Sequence, residues 1–231
     1  MKPNFLTRIL FIIFVFTLIQ TELMALPDSV DWRTYGHVPP VENMRNCDAS
    51  WAFVTAGYLR GHAYRKTGKK VTFSSQELID CSKSYGNHGC KGGSVSNALK
   101  YAKDEGLNSS ESYPYYAREL GYCYSKDLGG RLSDGYTRLE GDVTALKAMI
   151  ATTSPVPVTI NGDCKGFKEY SGGIYHQDST CPKVYNFSLL AVGYVDNVEE
   201  PYFILQNNLG TNWGIKGYIH ISFKDFSFLA F

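Results

Sequence analysis

Six cysteines are the side chains of this sequence with the most evident chemistry. They are Cys47, Cys81, Cys90, Cys123, Cys164 and Cys181. A zinc site would be indicated by C-x-x-C pairs or by a histidine at a ligand spacing from a cysteine, and the sequence contains neither. An even number of cysteines in an exported protein favours disulfides, although six cysteines allow fifteen pairings. We therefore expect structural disulfides, no metal and no cofactor.

The N-terminal segment indicates export. Lys2 and Arg8 are followed by the apolar run 9–19, which is too short to span a bilayer but suits the core of a signal peptide. The small Ala25 offers a cleavage point. We predict a signal peptide over residues 1–25 and a secreted, extracellular product. A lysosomal or other endomembrane lumen is the alternative location, and an amphipathic or buried helix is the alternative structure for the segment.

Two N-x-S/T sequons begin at Asn108 and Asn186. Asn108 opens the polar stretch 108–112, so we expect it to be exposed and glycosylated. Asn186 lies among apolar residues, which argues against its accessibility. Whether the Asn186 sequon is used is left open by the sequence.

Hydrophobic periodicity places helices in the first part of the chain and strands in the second. Helical spacing covers 51–66, 75–81, 94–105 and 143–151, whereas β-branched and aromatic runs cover 156–160, 187–195, 202–206 and 218–223. Asp48 and Ser50 are candidate caps for the first helix, and Gly68 is a candidate terminator. Helices followed by strands predict an α+β protein with a boundary near residues 125–140.

Composition excludes several classes of protein. The formal net charge is +1 and charged residues make up only 19%, so nothing indicates a nucleic-acid partner. Hydrophobic residues make up 44%, which is enough to build a buried core and argues against a disordered chain.

Several motifs, in matching order, carry a resemblance to a known family. They are LPDSVDWR (26–33), NMRNCDASWAF (43–53), SSQELIDC (74–81), GCKGG (89–93), AVGY (191–194) and NNLGTNWG (207–214). With them, nearly the whole chain after Ala25 resembles the papain/cathepsin family of cysteine peptidases. The resemblance implies a papain-like two-domain fold, with a mainly helical half over 26–130, a mainly β, barrel-like half over 131–231, and a groove between them.

The catalytic positions of that family are altered in this sequence. The family uses a thiolate at a helix N-terminus, a histidine that pairs with it and an asparagine that orients the histidine. The matching positions hold Ser50, Phe187 and Asn207. The oxyanion-hole glutamine falls at Met44, and the tryptophan that shields the histidine–asparagine bond falls at Leu209.

These changes lead us to expect a protein that has lost peptidase activity and is not an enzyme. Loss of a nucleophile or base costs about a million-fold in kcat, which corresponds to about 8 kcal/mol of barrier. We expect a monomer that binds peptides, proteins or protease inhibitors, with no nucleic-acid partner and no membrane association after signal removal. The alternatives are a cysteine-type peptidase as in the rest of the family, a residual hydrolase that uses Ser50, or a product without a selected role.

The resemblance also implies two disulfides, Cys47–Cys90 and Cys81–Cys123. The family's third bridge would join Cys181 to a cysteine near the C-terminus, but the sequence stops at Phe231 without one. We therefore expect a shortened β half. Cys181 is left either paired with Cys164 or free.

Gly92 and Gly93 match the family segment whose backbone pairs with an extended peptide. A tight turn that serves only the disulfide loop is an equally good explanation for the two glycines. With Phe187 and Leu209 beside it, the groove is expected to be more apolar than is usual in the family.

Overall fold

The computed structural model describes residues 26–124, 137–153, 155–224 and 226–231. The predicted signal peptide lies outside the described residues, as does most of the predicted boundary between the two halves. The division into 26–130 and 131–231 therefore stays a prediction. Within the described part of the chain, no helix is long and apolar enough to cross a membrane.

In the described part of the chain, four α-helices pack with the sheet. They are α1 (Ser50–Thr67), α2 (Ser75–Cys81), α3 (Val95–Asp104) and α4 (Val143–Thr152), and 3-10 turns cover Trp32–Tyr35, Ser82–Tyr85 and Gly89–Lys91. Each α-helix lies within one residue, at either end, of the helix predicted from hydrophobic periodicity.

The first turn of α1 differs from the sequence prediction. Its N-cap is Ala49, which makes no side-chain capping bond, and Ser50 is already inside the helix. The predicted caps Asp48 and Ser50 are therefore wrong. Instead, the backbone N–H of Asp48 donates to the carbonyl of Cys90, so contacts with a distant loop hold this entry. Gly68 ends the helix as predicted, in the left-handed conformation with φ 70°.

Eight strands form one open sheet. They are β1 (Ser29–Asp31), β2 (Leu139–Glu140), β3 (Val156–Ile160), β4 (Ile174–Tyr175), β5 (Phe187–Val195), β6 (Tyr202–Gln206), β7 (Tyr218–Ser222) and β8 (Leu229–Ala230). The order is β2-β8-β3-β5-β6-β7-β4, with β1 also paired to β5. All the pairs are antiparallel except β4 with β7. The path does not close between β2 and β4, so the described strands form an open sheet.

Strand β5 supplies side chains to two separate cores. Leu190 and Val192 pack with α1, α2 and α3, whereas Leu189 and Ala191 pack with α4 and the other strands. Successive side chains of a strand point to opposite faces, so one alternating run feeds both clusters. This two-sided burial explains why the centre of β5, residues 189–192, is a continuous apolar run, LLAV, in the sequence.

The C-terminal residues belong to the sheet. Strand β8 pairs with β2 and β3, and the N–H of Phe231 donates to the carbonyl of Pro157. Phe231 is 5% exposed and packs in the helical core. The last residues of the chain are thus well packed.

Candidate active-site cleft

A cleft opens between the N-terminus of α1 and the start of β5. Its walls come from the first turn of α1, the Gly92–Gly93 loop, the loop 162–168 and the first residue of β5, and its volume is ≈ 510 Å³. This volume lies within the range of about 300–1,000 Å³ that ligand sites occupy. Ser50, Phe187, Met44, Gly92, Gly93 and Leu209 all line it. The structure thus brings these six residues together in the wall of one cleft.

Ser50 sits at the first position of α1 with 6% of its surface exposed. Its Oγ accepts a hydrogen bond of 3.1 Å from the backbone N–H of Ser188, and its carbonyl accepts one of 3.4 Å from Asn208 Nδ2. The free N–H groups at a helix N-terminus and the helix dipole favour negative charge at this place. The hydroxyl is thus held where an oxyanion would be stabilised.

Phe187 fills the space beside this hydroxyl with an apolar ring. The ring is half-buried and packs edge-to-face on Phe167 at 5.4 Å between ring centroids. A Cβ built on Gly162 would lie 2.6 Å from the Cβ of Phe187, so this loop approaches as closely as a glycine allows. Phe187 has no group that could exchange a proton.

Asn207 is not part of the cleft wall. It follows β6 and is 2% exposed, and its Oδ1 accepts the N–H of Asn208 at 2.7 Å. Its Nδ2 is buried and has no hydrogen-bond partner among the described residues. A buried amide nitrogen without a partner is costly and is usually explained by function or strain. Here it marks the Asn207 side chain as incompletely satisfied.

Met44 is fixed by backbone hydrogen bonds on both sides. Its N–H donates to the carbonyl of Asn208 at 2.9 Å, and its carbonyl accepts the hydroxyl of Tyr115 at 2.5 Å. Burial raises the pKa of Tyr115 to about 12, so the phenol stays a proton donor at neutral pH. Sequence reasoning missed Tyr115, since nothing in its local sequence indicates a partner so far away in the chain.

Gly92 and Gly93 play different roles in the groove. Gly92 has φ 109° and ψ 173°, a conformation that is essentially restricted to glycine. Gly93 lies against Trp51, since an added Cβ would come within 2.6 Å of the indole. Gly93 is exposed, and its N–H and C=O make no hydrogen bond within the described residues. The turn is therefore required by the backbone, and it presents free peptide groups to the cleft.

A polar network at the opposite rim was not foreseen from the sequence. Asp163 accepts from Lys168 Nζ at 2.9 Å and from Asn186 Nδ2 at 2.8 Å, and Asn186 Oδ1 accepts from the Gly162 N–H at 2.8 Å. The hydrogen bonds from Lys168 and then Asn186 lower the pKa of the exposed Asp163 carboxyl. The sequon at Asn186 was the one sequence signal that pointed to this rim.

Three disulfides brace the residues around the cleft. Cys47–Cys90 and Cys81–Cys123 are present as the resemblance implies, and Cys164 is bonded to Cys181, one of the two states that the sequence left open. Cys47–Cys90 joins the entry of α1 to the glycine loop. Cys164–Cys181 closes a loop that carries Lys168 and begins directly after Asp163. Among the described residues, no cluster of three or more acidic, histidine or cysteine side chains is placed to hold a metal ion.

The expected exposure of Asn108 is wrong. Asn108 is 9% exposed, its N–H donates to Glu77 Oε2 at 2.8 Å, and its carbonyl accepts the N–H of Ser74. The polar stretch 108–112 folds back on the start of α2, where the carboxylate of Glu77 needs donors. Glycosylation at Asn108 stays an untested prediction, and the exposure on which it was based is not found. Asn186 is instead exposed.

Comparison with known proteins gives the family. Residues 26–226 match the model of the papain family cysteine proteases. A cathepsin L-like peptidase of Aedes aegypti is 38% identical over 209 residues, which cover 89% of this chain and 62% of that protein. Procathepsin L of Mus musculus is 37% identical over 205 residues, covering 87% and 61%, and cathepsin L2 of Homo sapiens is 38% identical over 203 residues, covering 85% and 61%. The chain thus spans about three fifths of the length of these relatives.

These matches correct one expectation drawn from the sequence. The altered residues at positions 44, 50 and 187 led us to expect a non-enzyme, but relatives named as peptidases and cathepsins cover most of the chain. The matches favour the alternative of a peptidase. The α+β, papain-like fold is confirmed. With its helices, open sheet and cleft matched over residues 26–226, the chain belongs to the papain family of cysteine proteases.

Proposed function

We propose that this chain binds extended peptides in the cleft and hydrolyses them slowly, with the Ser50 hydroxyl as the nucleophile. The observation that carries the proposal is the position of Ser50, at the N-terminus of a long helix and in the wall of a cleft. Relatives named as peptidases support hydrolysis as the class of reaction.

Peptide binding follows from the exposed backbone of Gly93. Its N–H and C=O have no partner within the described residues and can pair with an extended peptide, as a strand pairs with a sheet edge. The apolar rings of Phe187 and Phe167 favour apolar side chains near the attacked bond. Extended segments of protein protease inhibitors have the same shape and would compete for the groove. We expect a monomer to suffice, since one chain supplies every wall of the cleft.

The rate of hydrolysis is limited by proton transfer. A hydroxyl needs a base, and no imidazole lines the cleft in the described part of the chain, so the proton must pass to water or to a carboxylate of the lining, Asp48 or Asp163. Triad enzymes that lack one member but keep their oxyanion hole still give about 10³–10⁴-fold over the uncatalysed reaction. Because Met44 occupies the oxyanion-hole position here, we expect turnover at least about a million-fold below that of a complete triad.

Three disulfides favour an oxidising compartment, which supports a secreted or lumenal location for this chain. Expression of the full sequence with its own N-terminus in cultured eukaryotic cells tests this. We expect the protein in the medium. Retention of the full-length chain in the cytosol would contradict export.

Hydrolysis is tested with quenched fluorescent peptide libraries and the purified, oxidised protein. We expect slow cleavage that is lost in Ser50→Ala and kept in Ser112→Ala, an exposed serine far from the cleft. Both variants are purified in parallel with wild type, so that contaminating peptidases appear equally in all three. Equal rates in wild type and Ser50→Ala would overturn the proposal. Binding without turnover would contradict its hydrolytic part.

A further inference from the structure

We propose that Asn186 carries an N-linked glycan at the rim of the cleft. The inference rests on the proposed export of the chain and is independent of whether the cleft hydrolyses peptides. It begins from the sequon Asn186-Phe187-Ser188, which the sequence offers at the entry to β5.

The structure leaves Asn186 accessible. Its side chain is exposed although its neighbours in sequence are apolar, because the chain turns inward only at Phe187, where β5 begins. The N–H of Asn186 donates to the carbonyl of Ile160 at 3.0 Å, which fixes the backbone while the side chain lies outside. A modification there would meet solvent.

The local hydrogen bonds tolerate the modification. Asn186 Nδ2 bears two hydrogens, and one donates to Asp163 Oδ2 at 2.8 Å. Transfer from a lipid pyrophosphate-linked oligosaccharide forms a bond between Nδ2 and sugar C1. The C1–O bond to the pyrophosphate breaks, the pyrophosphate leaves as an anion, and one amide proton is released to a base of the transferase. The second N–H remains and can still donate to Asp163.

The folded state also sets when the sugar can be added. The Ser188 hydroxyl, which the sequon requires, is 3% exposed and lies 3.0 Å from Thr159 Oγ1. Recognition of this hydroxyl therefore precedes the pairing of β5 with β3, on the chain as it enters the lumen. The folded protein would not be a substrate for transfer.

The second sequon gives a built-in comparison. Asn108 is 9% exposed, and its backbone N–H and C=O are both tied to the start of α2. A glycan at Asn108 would have to project from a side chain that is packed against the rest of the protein. At Asn186 it leaves from the rim of the cleft, beside Asp163 and Lys168, where it would restrict the approach of bulky ligands.

The test uses the full chain secreted from cultured eukaryotic cells, with a heterologous signal peptide if its own fails to direct export. We expect peptide-N-glycosidase to shift the mass of the wild-type protein, and in ¹⁸O water to leave a labelled aspartate at position 186. Asn186→Gln and Ser188→Ala should abolish the shift, whereas Ser188→Thr, which preserves the sequon, and Asn108→Gln should retain it.

Two outcomes would overturn the inference. One is a secreted wild-type protein whose mass the glycosidase does not change. The other is a wild-type shift in which the ¹⁸O label appears at position 108 and not at position 186. Because Ser188→Thr keeps both the hydroxyl and the sequon, a variant that fails to fold cannot be mistaken for one that lacks the modification. Peptide cleavage is scored separately, so a failure of the hydrolytic proposal leaves this readout intact.

Discussion

The Ser50 Oγ and the Ser188 backbone N–H are joined by a hydrogen bond of 3.1 Å across 138 residues of sequence. This bond connects the first residue of α1 to the residue after Phe187, so the position of the hydroxyl is set by the strand that also carries the ring. The nucleophile candidate and the apolar side chain beside it are therefore placed as one unit. Substitutions at either site should be judged together.

The double variant Ser50→Cys/Phe187→His should gain peptidase activity. The helix N-terminus favours a thiolate, and the imidazole supplies the missing acid–base group, whose contribution is about 10²–10⁴-fold. We expect kcat/KM of the double variant to exceed that of wild type and of either single variant on the same fluorogenic peptide. If Ser50→Cys alone gives the full increase, the ring at position 187 is not what limits proton transfer.

Gly162→Ala should destabilise the fold. The new Cβ would lie 2.6 Å from the Cβ of Phe187, and relief requires movement of the loop or of β5. Forced overpacking costs about 1–3 kcal/mol, which thermal or urea unfolding can measure. Gly172→Ala is the matched control because nothing lies within 4 Å of its added Cβ. A similar free energy of unfolding for the two variants would show that the loop at Gly162 is not packed tightly against Phe187.

Removal of the Cys164–Cys181 disulfide should lower stability by about 3 kcal/mol, since the bond closes a loop with a sequence separation of 17. The loop carries Lys168 and begins directly after Asp163, and both residues line the cleft, so peptide affinity should fall along with the melting temperature. The comparison is between wild type and Cys164→Ala/Cys181→Ala, each purified under oxidising conditions. Unchanged melting and unchanged affinity would mean that the loop is held without the bond.

Stability should fall as the medium becomes acidic. Burial, together with the charge of Arg65, lowers the pKa of His37 below its ordinary 6.5, and its Nδ1 is buried without a partner among the described residues. As the pH falls, the unfolded chain therefore binds a proton at His37 before the folded chain does. The stabilising contribution is complete above pH 6.5 and is lost as the pH drops through 6.5 towards the lowered pKa.

His37→Phe keeps the aromatic contacts with Trp32 and Tyr64 and removes the titrating ring. We expect urea unfolding of this variant to depend less on pH than that of wild type. The free energy of unfolding of this variant should still depend on pH to some extent, because burial and then Arg33 also lower the pKa of His220. His88→Phe, at an exposed histidine, controls for the substitution itself. If the free energy of unfolding of His37→Phe depends on pH as strongly as that of wild type, His37 is not the source of the acid sensitivity.

The regular elements could be predicted where a local pattern carries them. The bounds of β5, Phe187–Val195, follow from its mainly β-branched, aromatic and other apolar residues, and α1 follows from its spacing and from Gly68. Strand β1 was missed because Ser29–Asp31 has no pattern of its own and exists through its pairing with residues 193–195.

The candidate site, too, could be predicted only where local sequence motifs carry it. Motif order predicts that Ser50, Phe187 and Met44 belong to one site, and all three line the same cleft. The rim formed by Asp163, Lys168 and Asn186 was not foreseen, because loop residues meet there through contacts that no periodicity encodes. The exposure of the two sequons was also misjudged, since local polarity does not determine which side of a turn faces the protein.

The placement of β5 between two cores has a consequence for biosynthesis. Neither core is complete before residues 189–192 are available, since these four residues are shared between the two cores. A nascent chain that ends before this strand lacks the centre of its sheet and the inner wall for α1. The helices and strands made before β5 must therefore stay incompletely packed, open to chaperones and modifying enzymes, until this strand has been synthesised.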